Sequence, residues 1–114
     1  MTDCVFCKII RAEMPAQLLH QDEYATAFRD IRPAAPVHIL IVPNKHIDSV
    51  NELTPEDEPL VGRLFTLARE LARREGIAEA GYRILSNTGR EGGQTVYHLH
   101  LHLLGGGRLH IPVG

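Results

Sequence analysis

The stretch His98-Leu99-His100-Leu101-His102-Leu103-Leu104 decides how this chain is read. Polar and apolar residues alternate with period two, the signature of a strand with one face in a core. The pattern predicts a strand over Val96 to Leu104, with imidazoles on one face and leucines on the other. Alternate side chains along a strand stand roughly 6.5–7 Å apart, so neighbouring rings can act on one small ligand or one ion. A merely solvated face would carry Thr, Lys or Glu. Three of the chain's seven histidines fall within five residues, and such a row suits either metal binding or catalysis on a phosphoryl group. A neutral imidazole attacks phosphorus, while protonated neighbours steady the phosphoryl oxygens.

Just before this strand lies Gly92-Gly93-Gln94-Thr95, where small residues let the backbone approach a ligand and exposed N–H groups can cradle an anion. Next to three histidines, that loop favours a phosphate-bearing substrate. Further out, Phe6 to Arg11 suits a short helix, and Leu18 to Gln21 with Tyr24 to Arg29 reads as a hairpin across Asp22-Glu23. The prolines of Arg32-Pro33-Ala34-Ala35-Pro36 demand an ordered loop. Val37 to Val42, closed by Pro43, is a central strand. Thr54-Pro55-Glu56-Asp57 opens a helix with a hydroxyl cap and acids in its first turn, and Pro59 sets the regular part to begin near it. Its stripe is Leu60, Leu64, Leu67, Ala68, Leu71 and Ala72, and Gly76 ends it. Tyr82 to Ser86 is a further strand, followed by the Asn87–Gln94 loop. Short links between most strands predict an α+β fold: a five-stranded antiparallel sheet with one long and one short helix.

With 114 residues, the chain makes one domain, residues 1–114, holding a single modest core. It is 44% apolar and 23% charged, with a net charge of −2 and both signs interspersed, which argues against a nucleic-acid surface. No apolar run approaches membrane-spanning length, and the N-terminus has no charged leader before an apolar stretch, so the cytoplasm is the expected location. There, Cys4 and Cys7 are expected to be free or metal-bound. Cys4-x-x-Cys7 is the minimal spacing for two thiolates on one metal, with His20, His46, His98 and His110 as candidate further ligands.

These blocks resemble the histidine triad superfamily of nucleotide hydrolases and transferases, whose motif is His-φ-His-φ-His-φ-φ with φ apolar. The resemblance spans nearly the whole chain. Phe6-Cys7-Lys8-Ile9-Ile10, Phe28-Arg29-Asp30-Ile31, Val37-His38-Ile39-Leu40-Ile41-Val42-Pro43 with Lys45-His46-Ile47, Gly92-Gly93-Gln94-Thr95-Val96-Tyr97, and Gly105-Gly106 with His110-Ile111-Pro112-Val113-Gly114 are similar to its Hint branch.

That resemblance implies a purine nucleoside phosphoramidase acting through a nucleotidyl-histidine intermediate, in a homodimer joined sheet to sheet, with the long helix at the interface. It casts His100 as nucleophile, His102 as the phosphate and leaving-group contact, and His38 as the fourth active-site histidine. It further implies that Asp30 holds the ribose hydroxyls, that Asn87, Gly93, Gln94 and Thr95 surround the phosphate, and that Phe6, Phe28 and Ile31 wall the purine slot. Among superfamily members with a Cys-x-x-Cys pair, the matching ligands are His46 and His98, giving a closed, structural Cys2His2 zinc site with Cys4 and Cys7. The alternatives are a dinucleoside polyphosphate hydrolase, a regulatory nucleotide-binding module with vestigial hydrolysis, and a metal-binding protein using His98, His100 and His102 together. The chain departs from the Hint pattern at Ile111, where an aromatic is usual, and in the extra glycine of Gly105-Gly106-Gly107. Both departures bear on the leaving group.

Overall fold

A computed structural model describes residues 4–109. Along them run α1 (Val5–Ile10), β1 (Leu18–Gln21), β2 (Ala25–Arg29), β3 (Val37–Pro43), α2 (Glu58–Arg74), β4 (Tyr82–Leu85) and β5 (Leu101–Gly105). The strands form one antiparallel sheet in the order β1-β2-β3-β5-β4. This is the α+β fold expected. The candidate ligand His110 and the tail with Ile111 lie outside the described residues.

Alternation sorts the sheet's side chains into two cores. On one face Ala25, Ala27, Ile39, Ile41, Leu101 and Leu103 pack against Leu64, Leu67, Ala68, Leu71 and Ala72 of α2. On the other, Phe28, Leu40 and Val42 pack against Phe6 and Ile9 of α1. The leucine stripe of α2 is therefore consumed by the protomer's own core, while Phe65 on the outer side remains 47% exposed. The α2 start divides in two: Pro55–Asp57 forms a 3-10 turn, and the regular helix begins at Glu58, one residue before Pro59. Asp57 anchors the turn, accepting from the Thr54 backbone N–H at 3.0 Å and from Lys45 Nζ at 2.7 Å.

One expected strand is shorter than its sequence pattern. The alternation predicts Val96 to Leu104, but β5 begins at Leu101, and of the three histidines only His102 lies within it. The reason is Pro43. The β3–β5 ladder runs from Val37–Gly105 to Ile41–Leu101, so the next rung would set Pro43 against Leu99. Asn44 donates its N–H to Tyr24 on the β2 side, which turns Pro43 toward β5, where it has no N–H to offer. The ladder ends there, and Leu99 donates instead to the Ile47 carbonyl at 2.6 Å. Freed from strand geometry, residues 96–98 bend, and His98 turns to Cys4 and Cys7 while all three imidazoles stay on the α1 face.

Candidate active site

The bend separates the histidines into two groups. His100 and His102 line a pocket of about 410 Å³ on the α1 face, together with Phe6, Phe28, Asp30, Ile31, Leu40 and Thr95. His98 is fully buried and turns toward Cys4 and Cys7.

The backbone fixes how each ring is protonated. His100 Nδ1–H donates to the His98 carbonyl at 2.7 Å, which leaves the Nε2 lone pair free. The Ala34 backbone N–H donates to His38 Nδ1 at 3.0 Å, so neutral His38 carries its proton on Nε2. That proton faces His102 Nδ1 at 2.9 Å and Asp30 Oδ2 at 3.5 Å. Accepting at Nδ1, His102 keeps its own proton on Nε2, and this buried nitrogen has no partner among the described residues. The pocket thus combines a lone pair on His100 with an unused N–H donor on His102, their ring centres 5.0 Å apart. Phe6 sets its ring edge-on to His100 at 5.0 Å and to Phe28 at 5.4 Å, closing the inner wall.

Burial keeps these rings neutral. It lowers the His38 and His100 pKa values, with Asp30 pulling the other way. Burial, reinforced by His100 and His38, pushes His102 down to about 4. The unfolded chain takes up this proton near the ordinary value of 6.5, so the unfolded state binds more protons between pH 6.5 and 4. Stability should therefore fall as pH drops through that window. His102→Asn is expected to flatten the decline, measured as urea unfolding free energy against pH; an unaltered slope would refute the assignment.

The glycine-rich loop is built around Gln94. Its buried side chain accepts from the Gly89 N–H at 2.9 Å and donates to the carbonyls of Asp48 at 2.7 Å and Val96 at 3.0 Å. These bonds tie the loop to itself and to the Asp48 segment, and Thr95, its neighbour, is the residue that lines the pocket. Asn87 sits behind Gly93, whose φ of +87° favours glycine. At Gly92 a methyl group would collide with the Thr88 carbonyl oxygen. Gly92→Ala is accordingly expected to cost about 1–3 kcal/mol, read as a lowered unfolding midpoint. Asp30 stands at the pocket's mouth and accepts from the Arg32 N–H at 2.7 Å. Ile31 is 90% exposed at the rim.

Behind the pocket, the donor atoms of Cys4, Cys7, His46 and His98 all lie within 4.8 Å of one another. Cys4 Sγ is 3.3 Å from His98 Nδ1, and Cys7 Sγ is 3.3 Å from His46 Nδ1. Each histidine donates its far N–H elsewhere: His98 Nε2 to the Pro43 carbonyl at 2.8 Å, His46 Nε2 to Asp48 at 2.7 Å. Both Nδ1 lone pairs therefore face the thiols, the arrangement expected around a metal ion. Burial, helped by Cys4, raises the Cys7 thiol pKa, so in this setting a cation is what would favour its thiolate. His20, the other sequence candidate among the described residues, is elsewhere, bonded to Asp22 at 2.8 Å.

Sequence reasoning missed the groups without side-chain chemistry: the Ala34 N–H, and the Pro43 and His98 carbonyls. Only Asp48 left a signal, as an acid two residues after His46.

An antiparallel sheet that presents buried imidazoles and a carboxylate to one apolar cleft, with a glycine-rich loop beside it, defines a class of small α+β proteins with an imidazole-lined site. Residues 11–109 match the family described as HIT domain, and the chain belongs to that family. It is 55% identical over 104 residues to the purine nucleoside phosphoramidase of Escherichia coli K12, covering 91% of this chain and 87% of that one. It is 44% identical to protein HitA of Neisseria gonorrhoeae, covering 92% and 97% respectively. Among solved structures, a HIT family hydrolase from Legionella pneumophila superposes with a TM-score of 0.95 at 47% identity, over 98% of this chain and 100% of that one. Among the described residues no helix is long and apolar enough to cross a membrane.

Proposed function

We propose that this chain hydrolyses the P–N bond of purine nucleoside 5'-phosphoramidates through a nucleotidyl-His100 intermediate. The observation that carries the reading is the pair of oppositely equipped nitrogens in one pocket: the free His100 Nε2 lone pair and the unpartnered His102 Nε2–H. The name of the E. coli relative supports the substrate class.

The purine lies between Phe6, Phe28 and the exposed Ile31, which a flat ring would cover. Asp30 accepts from the ribose hydroxyls, and Thr95 with the Asn87–Gly93 turn borders the phosphate, while Gln94 holds that turn in shape. His100 Nε2 forms a bond to the α-phosphorus as the P–N bond to the leaving amine breaks. The departing nitrogen keeps the electron pair and takes the His102 Nε2 proton, His102 entering the step as an imidazolium favoured by the substrate's phosphate charge and leaving it as a neutral imidazole. Water then attacks phosphorus and returns a proton to His102, and the His100–phosphorus bond breaks to release the nucleoside monophosphate. The contact between His38 Nε2 and His102 Nδ1 holds the His102 ring with Nε2 facing the leaving nitrogen.

Cys4, Cys7, His46 and His98 are assigned to one structural zinc ion, which supplies a cross-link between the α1 end and the segment carrying His100. The unpaired β4 edge and the exposed Phe65 support a homodimer joined sheet to sheet. A cytoplasmic setting fits reduced thiols.

Acid quench during turnover of adenosine 5'-phosphoramidate, followed by peptide mass measurement, tests the chemistry. The expected result is a nucleotidyl adduct on the His100 peptide. Steady hydrolysis with no adduct, or an adduct on another residue, would overturn the assignment.

A further inference from the structure

The register of β4 sets an arginine beside the imidazoles. Leu85 pairs with His102, and Arg83 pairs with Leu104, which in turn pairs with His38. Paired residues share a face, so Arg83 stands on the imidazole side, whereas Tyr82 and Ile84 pack into the α2 core. As a diagonal neighbour of His102, its Cβ lies about 7–8 Å away, within an arginine's reach. Arg83 lines a second pocket, of about 270 Å³, with Arg108, Leu104, Pro36 and Ala34, the residue that fixes His38.

Neither arginine has a carboxylate partner among the described residues. Arg83 Nη1 is buried with no hydrogen-bond acceptor there. An unpaired, desolvated guanidinium N–H is costly, and this buried Arg83 group beside the exposed Arg108 and apolar walls suits a compact planar oxyanion. The order across the sheet says which one. Phe28 and Asp30 mark the nucleoside end at β2, His102 marks the phosphorus at β5, and Arg83 follows at β4. The group beyond the phosphorus is the leaving amine.

We infer that Arg83 and Arg108 bind a carboxylate carried on the amine side of the scissile bond. The chain therefore favours phosphoramidates of amino acids and other acidic amines over those of neutral amines. This inference rests on the phosphoramidase reading and assigns the leaving-group half of the same site.

The test compares adenosine 5'-phosphoramidates of alanine, with its free carboxylate, and of alaninamide, its neutral isostere. The parent should favour the carboxylate compound by at least about tenfold in kcat/KM, chiefly through KM. In Arg83→Gln and Arg108→Gln the ratio should fall toward one, and Arg83→Lys should restore part of it. Equal kcat/KM in the parent, or a ratio unchanged in Arg83→Gln, would overturn the inference. Should neither compound be hydrolysed, the phosphoramidase reading fails while the carboxylate site is still decided by calorimetric binding to His100→Ala. Tighter binding of the carboxylate compound that is lost on adding Arg83→Gln sustains the site, and equal binding of the two compounds removes it.

Discussion

His100→Ala is expected to lower kcat/KM for an adenosine phosphoramidate by roughly four orders of magnitude or more, because it removes the atom proposed to form the covalent intermediate. The same variant should still bind adenosine monophosphate. The contacts assigned to purine and ribose come from Phe6, Phe28, Ile31 and Asp30, on α1 and at the end of β2, and the His102 donor is untouched. His102→Ala should cost less, since His100 keeps its lone pair and the leaving amine can draw a proton from water. Isothermal titration with the monophosphate and initial rates with the phosphoramidate separate the two effects. Retained turnover in His100→Ala would refute the nucleophile. Binding lost together with turnover would instead mark His100 as a nucleotide contact.

The placement of His100 was only partly legible in the sequence. Period two in His98–Leu104 identified a strand with a buried face, and the sheet, its order of elements and the α2 stripe all follow from patterns of that kind. Periodicity alone also predicted one continuous strand through all three histidines, and that failed at a single backbone atom. Pro43 lies 55 residues before His98, and its lack of an N–H ends the ladder just where the first two histidines would have joined it. Side-chain spacing cannot report a missing backbone donor on another strand. The same limit hid Ala34, whose contribution is an N–H rather than a side chain. Gln94 illustrates the converse: its residue type suggested a ligand contact, while its burial, its two bonds within the loop and its third to the Asp48 carbonyl assign it to holding the turn. Arg83 needed the register itself, because only pairing places it on the imidazole face.

Cys7→Ser is expected to remove about one equivalent of zinc per chain and to lower stability by about 3 kcal/mol or more, which corresponds to roughly 10–20 °C in a domain of this size. Cys7 is the buried thiol of the pair, and it touches both histidines, His46 at 3.3 Å and His98 at 3.6 Å. A serine there offers a poorer zinc ligand and leaves the two Nδ1 lone pairs converging on nothing. Chelation of the parent should produce a loss of similar size, because the cross-link between α1 and the segment before β5 disappears either way. Two ordinary reduced cysteines predict another outcome: no metal by emission spectroscopy, no response to chelator, and only a small change on substitution. The consequence should extend to catalysis. The carbonyl that orients His100 belongs to His98, and Phe6, which packs on His100, lies between the two cysteines in α1. Loss of an ion held there would therefore loosen both the tautomer of His100, the proposed nucleophile, and the wall behind it. The activity of Cys7→Ser, measured below its own melting temperature, should fall in kcat as well as in KM. Full activity in a folded, zinc-free variant would show that the cross-link supports stability alone.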